Sequence, residues 1–400
     1  MSELNEPKEI RKEVRDLLER GDLWRIVDEA LGVRIREDPV ARQATFAVML
    51  TAFQRKPAHI MLIGESALGK SWLLANTIQF IPTENQALIG SSTQRAWFYG
   101  GEEVMRPHPL IPDKQVLDHY EVDWRNKVVG ILDNVTPQTI KDLKPVMSHD
   151  TPEVEIQTSE QGRGGGRWQT RRVRIIVCPS FVNCSTHLKW DDELSSRHFY
   201  LTPRDAPEKY EASAELLNEF HTTGKLPTSE MGPQIQDAIR WLRDANLQVV
   251  IAKDTAAQIK ADFKWNSGRD IRDYERMLTL VEAVAWLHAF QRERTDTGAV
   301  IADNRDLEIV KGFSDELLKI TRTGTSAQVL DYYERVLKPL SESEGMLTYD
   351  AIQQKYFEAY NRRLHRDILI LYNKTLQDLN KIELTKDSID RRRWLVRLVL

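Results

Sequence analysis

Residues 59–71 read His-Ile-Met-Leu-Ile-Gly-Glu-Ser-Ala-Leu-Gly-Lys-Ser. Gly64, Gly69, Lys70 and Ser71 fill every specified position of G-x-x-x-x-G-K-[ST]. Glu65, Ser66, Ala67 and Leu68 form the variable loop, and Trp72 follows in a helix-forming run. Glycines at this spacing let backbone N–H groups curl round phosphates, and a helix starting there adds its positive dipole end. Lys70 would reach the β- and γ-phosphates, and the Ser71 hydroxyl would bind Mg²⁺. The chemistry implied is the binding of a nucleoside triphosphate, ATP with Mg²⁺, along residues 64–72.

A second stretch, Lys127-Val128-Val129-Gly130-Ile131-Leu132-Asp133-Asn134, is an apolar strand ending in an acid about 60 residues later. Asp133 at the carboxyl end of a sheet would hold the Mg²⁺ through water. Asn134 stands where a general base is needed, and an amide orients water without accepting its proton. Hydrolysis is therefore expected to be slow, or to use another carboxylate such as Asp150 or Glu153. Further on, residues 153–158 and 171–178 alternate as two strands around a glycine-rich turn. Arg163, Arg167, Trp168 and Arg171 cluster there, with no acid in residues 161–175. Basic side chains around an aromatic ring suit phosphate contact and base stacking, hence DNA. Residues 191–203 carry Arg197 in the arrangement E-L-x-x-R-x-F-x-L.

The elements that must position these groups follow from periodicity. Residues 9–32 predict an amphipathic helical leader broken near Gly21, and residues 39–53 a second helix before the apolar strand at 60–63. A short strand is expected at 87–90 and an irregular, proline-containing insertion at 101–118. Residues 206–318 predict mainly helices, including a long one opened by the arginine-rich run at 268–276. Residues 325–400 predict three helices and two β-like pieces, a winged helix, which binds DNA through its third helix and wing. The expected division is a leader (1–38), an α/β core with a parallel sheet (39–204), a helical lid (205–322) and the winged helix (323–400).

With 400 residues, 41% hydrophobic and 29% charged, the chain describes an ordinary globular protein of two or three domains. A net charge of −4 does not announce a nucleic-acid binder, so any such site must come from local clustering. Cys178 and Cys184 have no metal-ligand pattern, and two thiols fit a reducing interior. No signal peptide and no bilayer-length apolar run is evident, which predicts a cytoplasmic protein without membrane contact.

On these residues the chain resembles the AAA+ ATPases that carry a β-hairpin before their first sensor, in particular MCM-like helicases and mobile-element primase–helicases. The resemblance covers roughly residues 39–318, extended by the winged helix. It implies a homo-oligomeric ring, a hexamer, with ATP between subunits and single-stranded or forked DNA gripped by the hairpin. It assigns Arg197 as the arginine finger acting on a neighbour's γ-phosphate and Arg272 as a second sensor of ATP. The first sensor is ambiguous: register gives Cys178, while Ser180 and Asn183 lie just beyond, and Ser180 is carried as an ATP contact. The pattern departs from the family at Asn134 and in lacking an N-terminal oligonucleotide-binding domain of the MCM kind. A helicase is therefore expected, with an ATP-switched loader or initiator as the alternative.

Overall fold

The computed structural model describes residues 10–90, 101–111, 113–132, 143–147, 151, 153–161, 168–176, 179–186, 196–265, 268–323, 325–343, 345–387, 390 and 393–399. Its centre is a five-stranded parallel sheet in the order β2-β5-β8-β1-β9, built from Ile60–Ile63 (β1), Gln86–Ile89 (β2), Val128–Ile131 (β5), Ser180–Ser185 (β8) and Phe199–Leu201 (β9). All residues of β1, β5, β8 and β9 are buried, as expected of strands covered on both faces. The chain leaves β1 through Lys70–Thr77 (α4), reaches the far edge at β2, and steps back through β5 and β8. It then passes over β1 to β9.

Period-2 alternation assigns each face of this sheet to a different layer. Ile60, Leu62, Val128, Val182 and Cys184 pack into one core with Lys12–Leu18 (α1), Leu23–Gly32 (α2), Pro39–Leu50 (α3) and α4. The same core takes in Gly232–Asp244 (α6), Arg269–Leu287 (α8) and Asn304–Thr323 (α9), so leader, sheet and helices share one hydrophobic interior. Trp24 lies 6.1 Å from both Phe46 and Phe313, joining α2, α3 and α9. Gly130 lets α4 lie close on the sheet, since a Cβ there would stand 2.9 Å from Leu74 Cδ1. Pro207–Thr223 (α5) is mostly exposed, and Lys253–Asp262 (α7) completes this helical group with the short parallel pair Val249–Ile251 (β10) and Val300–Ala302 (β11).

Met61, Ile63, Val129, Ile131 and Phe181 face the other way, onto a four-stranded sheet in the order β3-β4-β7-β6. Its strands are Glu102–Pro107 (β3), Gln115–Asp123 (β4), Glu153–Gln161 (β6) and Trp168–Ile176 (β7). β6 and β7 form the expected antiparallel hairpin, with Gln161 opposite Trp168. The irregular insertion expected at 101–118 is instead a second antiparallel pair, β3 with β4. Pro107 is the last residue of β3, opposite Gln115, and Pro109 lies just beyond the strand, positions that proline tolerates.

Residues 326–398 form their own core around Tyr332, Leu347, Ile352, Leu369, Tyr372 and Val396. Ala327–Tyr332 (α10) runs through a π-helical turn, Tyr333–Leu337, into Lys338–Ser343 (α11). Then come Leu347–Thr348 (β12), Tyr349–Tyr360 (α12), Arg366–Asp378 (α13), Ile382–Lys386 (β13) and Trp394–Leu398 (β14). The strands make an antiparallel sheet in the order β12-β14-β13. Among the described residues, no helix is long and apolar enough to cross a membrane.

Burial on α8 pushes the Glu282 carboxyl up to about 7, with Arg55 and Lys56 opposing the shift and Glu275 adding to it. The folded state therefore favours the protonated form: this contribution is fully present below the unfolded value of 4.5 and is lost as pH rises through 7. Glu282→Gln should match wild type in urea unfolding at pH 4 and be more stable at pH 8, by at most about 3 kcal/mol. An equal stability difference at both pH values contradicts this.

Candidate functional site

The loop from Gly64 to Gly69 joins the carboxyl end of β1 to the amino end of α4, where the parallel sheet gathers its strand ends. Gly64 adopts φ 142°, and a Cβ there would stand 2.7 Å from Leu68 Cδ1 and 3.3 Å from Thr202 Cγ2. Ala67 (φ 68°) and Gly69 (φ 80°) are left-handed, so the turn curls tightly before the helix starts. A non-glycine residue at such φ is strained and persists only where its surroundings impose it. Here the Leu68 carbonyl accepts from Lys209 Nζ at 3.2 Å, and Lys209 is held in turn by the buried Asp38 at 2.6 Å. Asp38 also accepts from the Arg204 N–H at 3.0 Å, tying the loop to the segment after β9.

Lys70 is buried, its Nζ donating to the carbonyl oxygens of Gly64, at 3.0 Å, and of Glu65. Burial lowers its pKa, with the Glu65 carboxylate opposing. Among the described residues no carboxylate forms an ion pair with it. A buried ammonium held by neutral carbonyls keeps its charge uncompensated among the described residues, which suits it to an anionic partner.

The Ser71 hydroxyl lies 3.2 Å from the Leu132 carbonyl oxygen, to which it donates, and Leu132 immediately precedes Asp133 in the chain. Hard oxygen donors of this kind suit Mg²⁺. A cleft of about 340 Å³ opens here, lined by Ser66, Lys70, Ser71, Trp72, Ser185 and Thr186 among others. Trp72 presents a partly exposed ring and fixes its indole N–H on the Arg34 carbonyl at 2.8 Å. Cys184 also lines the cleft; burial pushes its thiol up to about 12, which keeps it protonated and inert.

Of the loop residues, Ser66, Ala67, Gly69, Lys70, Ser71 and Trp72 line the cleft, and Gly64, Glu65 and Leu68 lie in the turn beside it. Two expected contacts lie elsewhere. Ser180 begins β8 at the opposite, amino end of the sheet, where its hydroxyl bonds the Val48 and Ala58 carbonyls at 3.0 and 2.8 Å. Strand β7 belongs to the second sheet, so the strand beside β1 starts at Ser180 and ends at Ser185. Ser185 and Thr186, unnoticed in the sequence, are the polar groups at its carboxyl end; Phe181, Val182 and Cys184 after Pro179 are the weak strand signal that the sequence offers. Asn183 lies mid-strand, with its amide 3.3 Å from His198 Nε2.

Arg272 likewise lies away from its own loop. It is exposed on the first turn of α8 and donates to the Ser196 hydroxyl, next to Arg197. Arg197 is half-buried and donates to the Lys144 carbonyl at 3.1 Å. Ile60 pairs with Phe199, so Arg197 stands six residues below the level of Gly64. The two positions thus lie beyond opposite ends of the paired strands β1 and β9, separated by more than about 10 Å at roughly 3.3 Å per residue.

In the hairpin sheet, Arg172 pairs with Glu155 at 2.9 Å and Arg174 with Glu153, while Arg171 lies 3.5 Å over the Tyr120 ring. Cross-strand acids thus neutralise a strand whose own sequence contains none. Asp133, Asn134, Asp150, Arg163, Arg167 and Cys178 lie outside the described residues, as does the Trp168 side chain. Among the described residues no group of three His, Cys, Asp or Glu side chains could hold a metal ion by itself.

Gly64→Ala forces a Cβ against Leu68 at an unfavourable φ, and Lys70→Met removes the buried ammonium. Each should weaken binding of a fluorescent ATP analogue at least about 100-fold with the melting temperature little changed for Lys70→Met. Retained affinity in Lys70→Met would exclude this loop as the phosphate site.

No family model matches the sequence. The chain is similar to an uncharacterized protein of Methanothermobacter marburgensis, 21% identical over 292 residues, covering 72% of this chain and 33% of that protein. The chain therefore spans about a third of the length of that relative.

Proposed function

We propose that the chain is an AAA+ P-loop ATPase that moves single-stranded or forked DNA during replication as a homohexameric ring. The observation that carries this reading is the convergence of the buried Lys70 ammonium and the Ser71 hydroxyl with the carbonyl preceding Asp133. The strand order β2-β5-β8-β1-β9 adds support, because the polar end of β8 stands between the loop after β1 and the strand that leads to Asp133. Lys70, with the loop N–H groups, binds the β- and γ-phosphates of ATP. Ser71 and Asp133 hold Mg²⁺, which supplies charge neutralisation on the phosphates when bound.

Arg197 lies at the sheet end opposite its own loop, so its partner in this reading is the γ-phosphate on a neighbouring subunit. Arg272 accompanies Arg197 at that junction through Ser196. In this reading Arg163, Arg167 and Trp168, in the segment that joins β6 to β7, contact DNA, while Arg172 and Arg174 pair across the hairpin with Glu155 and Glu153. Residues 326–398 supply the winged helix: the order helix, short strand, two helices, two strands, with the sheet β12-β14-β13, supports that assignment.

A second reading, an ATP-switched initiator or loader that hydrolyses little, is favoured by Asn134 in the position of the general base. Steady-state ATPase with and without forked DNA separates the two. A translocase gives sustained turnover that rises with DNA, whereas a switch binds ATP tightly and turns over slowly in either condition. In the translocase, Arg163→Ala with Arg167→Ala should retain basal ATP hydrolysis and lose about 10-fold or more of DNA affinity at low salt. Unchanged DNA affinity and unwinding in that variant would remove the hairpin from the mechanism.

A further inference from the structure

The C-terminal unit is not tethered loosely beside the nucleotide loop; it rests on it. Tyr372, on α13 and only 1% exposed, donates its hydroxyl to the carboxylate of Glu65, the second residue of the loop. Gln328, at the start of α10, brings its amide oxygen within 3.4 Å of where a Cβ on Gly64 would lie. Both heteroatoms of that amide are buried without a hydrogen-bond partner. Around them, Arg362 bonds Asp205 at 3.1 Å and the Tyr356 hydroxyl at 3.2 Å, while the Tyr210 hydroxyl bonds Asp205 at 2.7 Å. The Ala327 N–H donates to Thr202 Oγ1 at 3.0 Å. The contact is thus a built polar seam between two cores, with one end on the loop itself.

Glu65 gives this seam a chemical consequence. A carboxylate in a loop that wraps a triphosphate adds a like charge beside the ligand, and such repulsion is strong where water is partly excluded. The Tyr372 hydroxyl engages one carboxylate oxygen and turns the group toward the C-terminal unit, spreading its charge. Burial and the Glu65 carboxylate raise the Tyr372 phenol far above its ordinary value, so it stays a donor across the whole working pH range.

We propose that Tyr372 is a positioning residue for the nucleotide site of its own chain, holding the Glu65 carboxylate clear of the bound triphosphate. The proposal rests on the reading of residues 64–72 as the phosphate loop. It makes docking of the C-terminal unit and nucleotide affinity mutually dependent, because each requires the same orientation of Glu65. It also assigns a face of α13, the helix that the sequence reserves for DNA, to intramolecular contact.

The test is fluorescence titration of mant-ATP with Mg²⁺ into the full chain and three variants: Tyr372→Phe, Glu65→Gln, and the two combined. Tyr372→Phe should bind about fivefold or more weakly, with a deficit that shrinks at high salt. Glu65→Gln should bind as tightly as wild type or tighter, and the double variant should equal Glu65→Gln. Rescue by removing the carboxylate is the outcome that a general loss of folding cannot produce. Wild-type affinity in Tyr372→Phe, or a loss that persists in the double variant, overturns the proposal. A wild-type chain that does not bind mant-ATP overturns the phosphate-loop reading itself, and this inference with it.

Discussion

A buried ammonium at the carboxyl end of a parallel sheet is the constraint round which the rest of the molecule is arranged. Lys70 is 7% exposed and is held by two backbone carbonyls of its own loop. Keeping a cation there demands a rigid loop, and rigidity comes from the surroundings: the fully buried strand β1 on one side and α4 on the other. The Leu68 carbonyl is pinned from outside by the Lys209–Asp38 pair. Left-handed conformations at Ala67 and Gly69 supply the curl, and the packing of Leu68 and Thr202 against Gly64 fixes its entry. The two layers on the sheet faces bury the strands that lead to this loop and hold them in register.

The same sheet separates the charged groups into two ends. Lys70, Ser71, Ser185 and Thr186 gather at the carboxyl ends of the strands. Ser196, Arg197 and Arg272 gather at the amino end, tied together by the Arg272–Ser196 hydrogen bond. Two ends separated by strand length cannot act on one phosphate within one chain. In the proposed ring, Arg197 and Arg272 would therefore serve the nucleotide of a neighbouring copy. The hairpin sheet follows from the same geometry, since β4 and β7 pack under the central sheet and leave β6 at the outer edge.

The glycine loop was legible because its pattern lies in eight consecutive residues, and β1, β2 and β5 because they are short apolar runs; β8 and β9, the one interrupted by polar residues and the other only three residues long, were not. What sequence could not supply was the relation between distant elements. The strand at 168–176 has apolar residues alternating with arginines, which suits either sheet, and only pairing with β4 and β6 removes it from the centre. Ser180 was accordingly read as lying just past the end of a central strand, whereas it begins β8, and Ser185 and Thr186 went unseen. Helical periodicity identified α8 but not which end of the sheet its arginine-rich turn abuts, and so not that Arg272 reaches Ser196 beside Arg197. Charge counting along residues 161–175 missed Glu153 and Glu155, which lie opposite in the hairpin rather than beside in the chain. The Tyr372–Glu65 contact spans 307 positions, beyond any local pattern.

The central claim is that one nucleotide site is completed by residues from two copies of the chain. ATP hydrolysis by a mixture of Lys70→Ala and Arg197→Ala subunits tests it most directly. Each variant alone should be inactive, and an equimolar mixture should regain activity, because about a quarter of randomly formed junctions carry both an intact Lys70 and an intact Arg197. A mixture as inactive as its separate components would contradict the account.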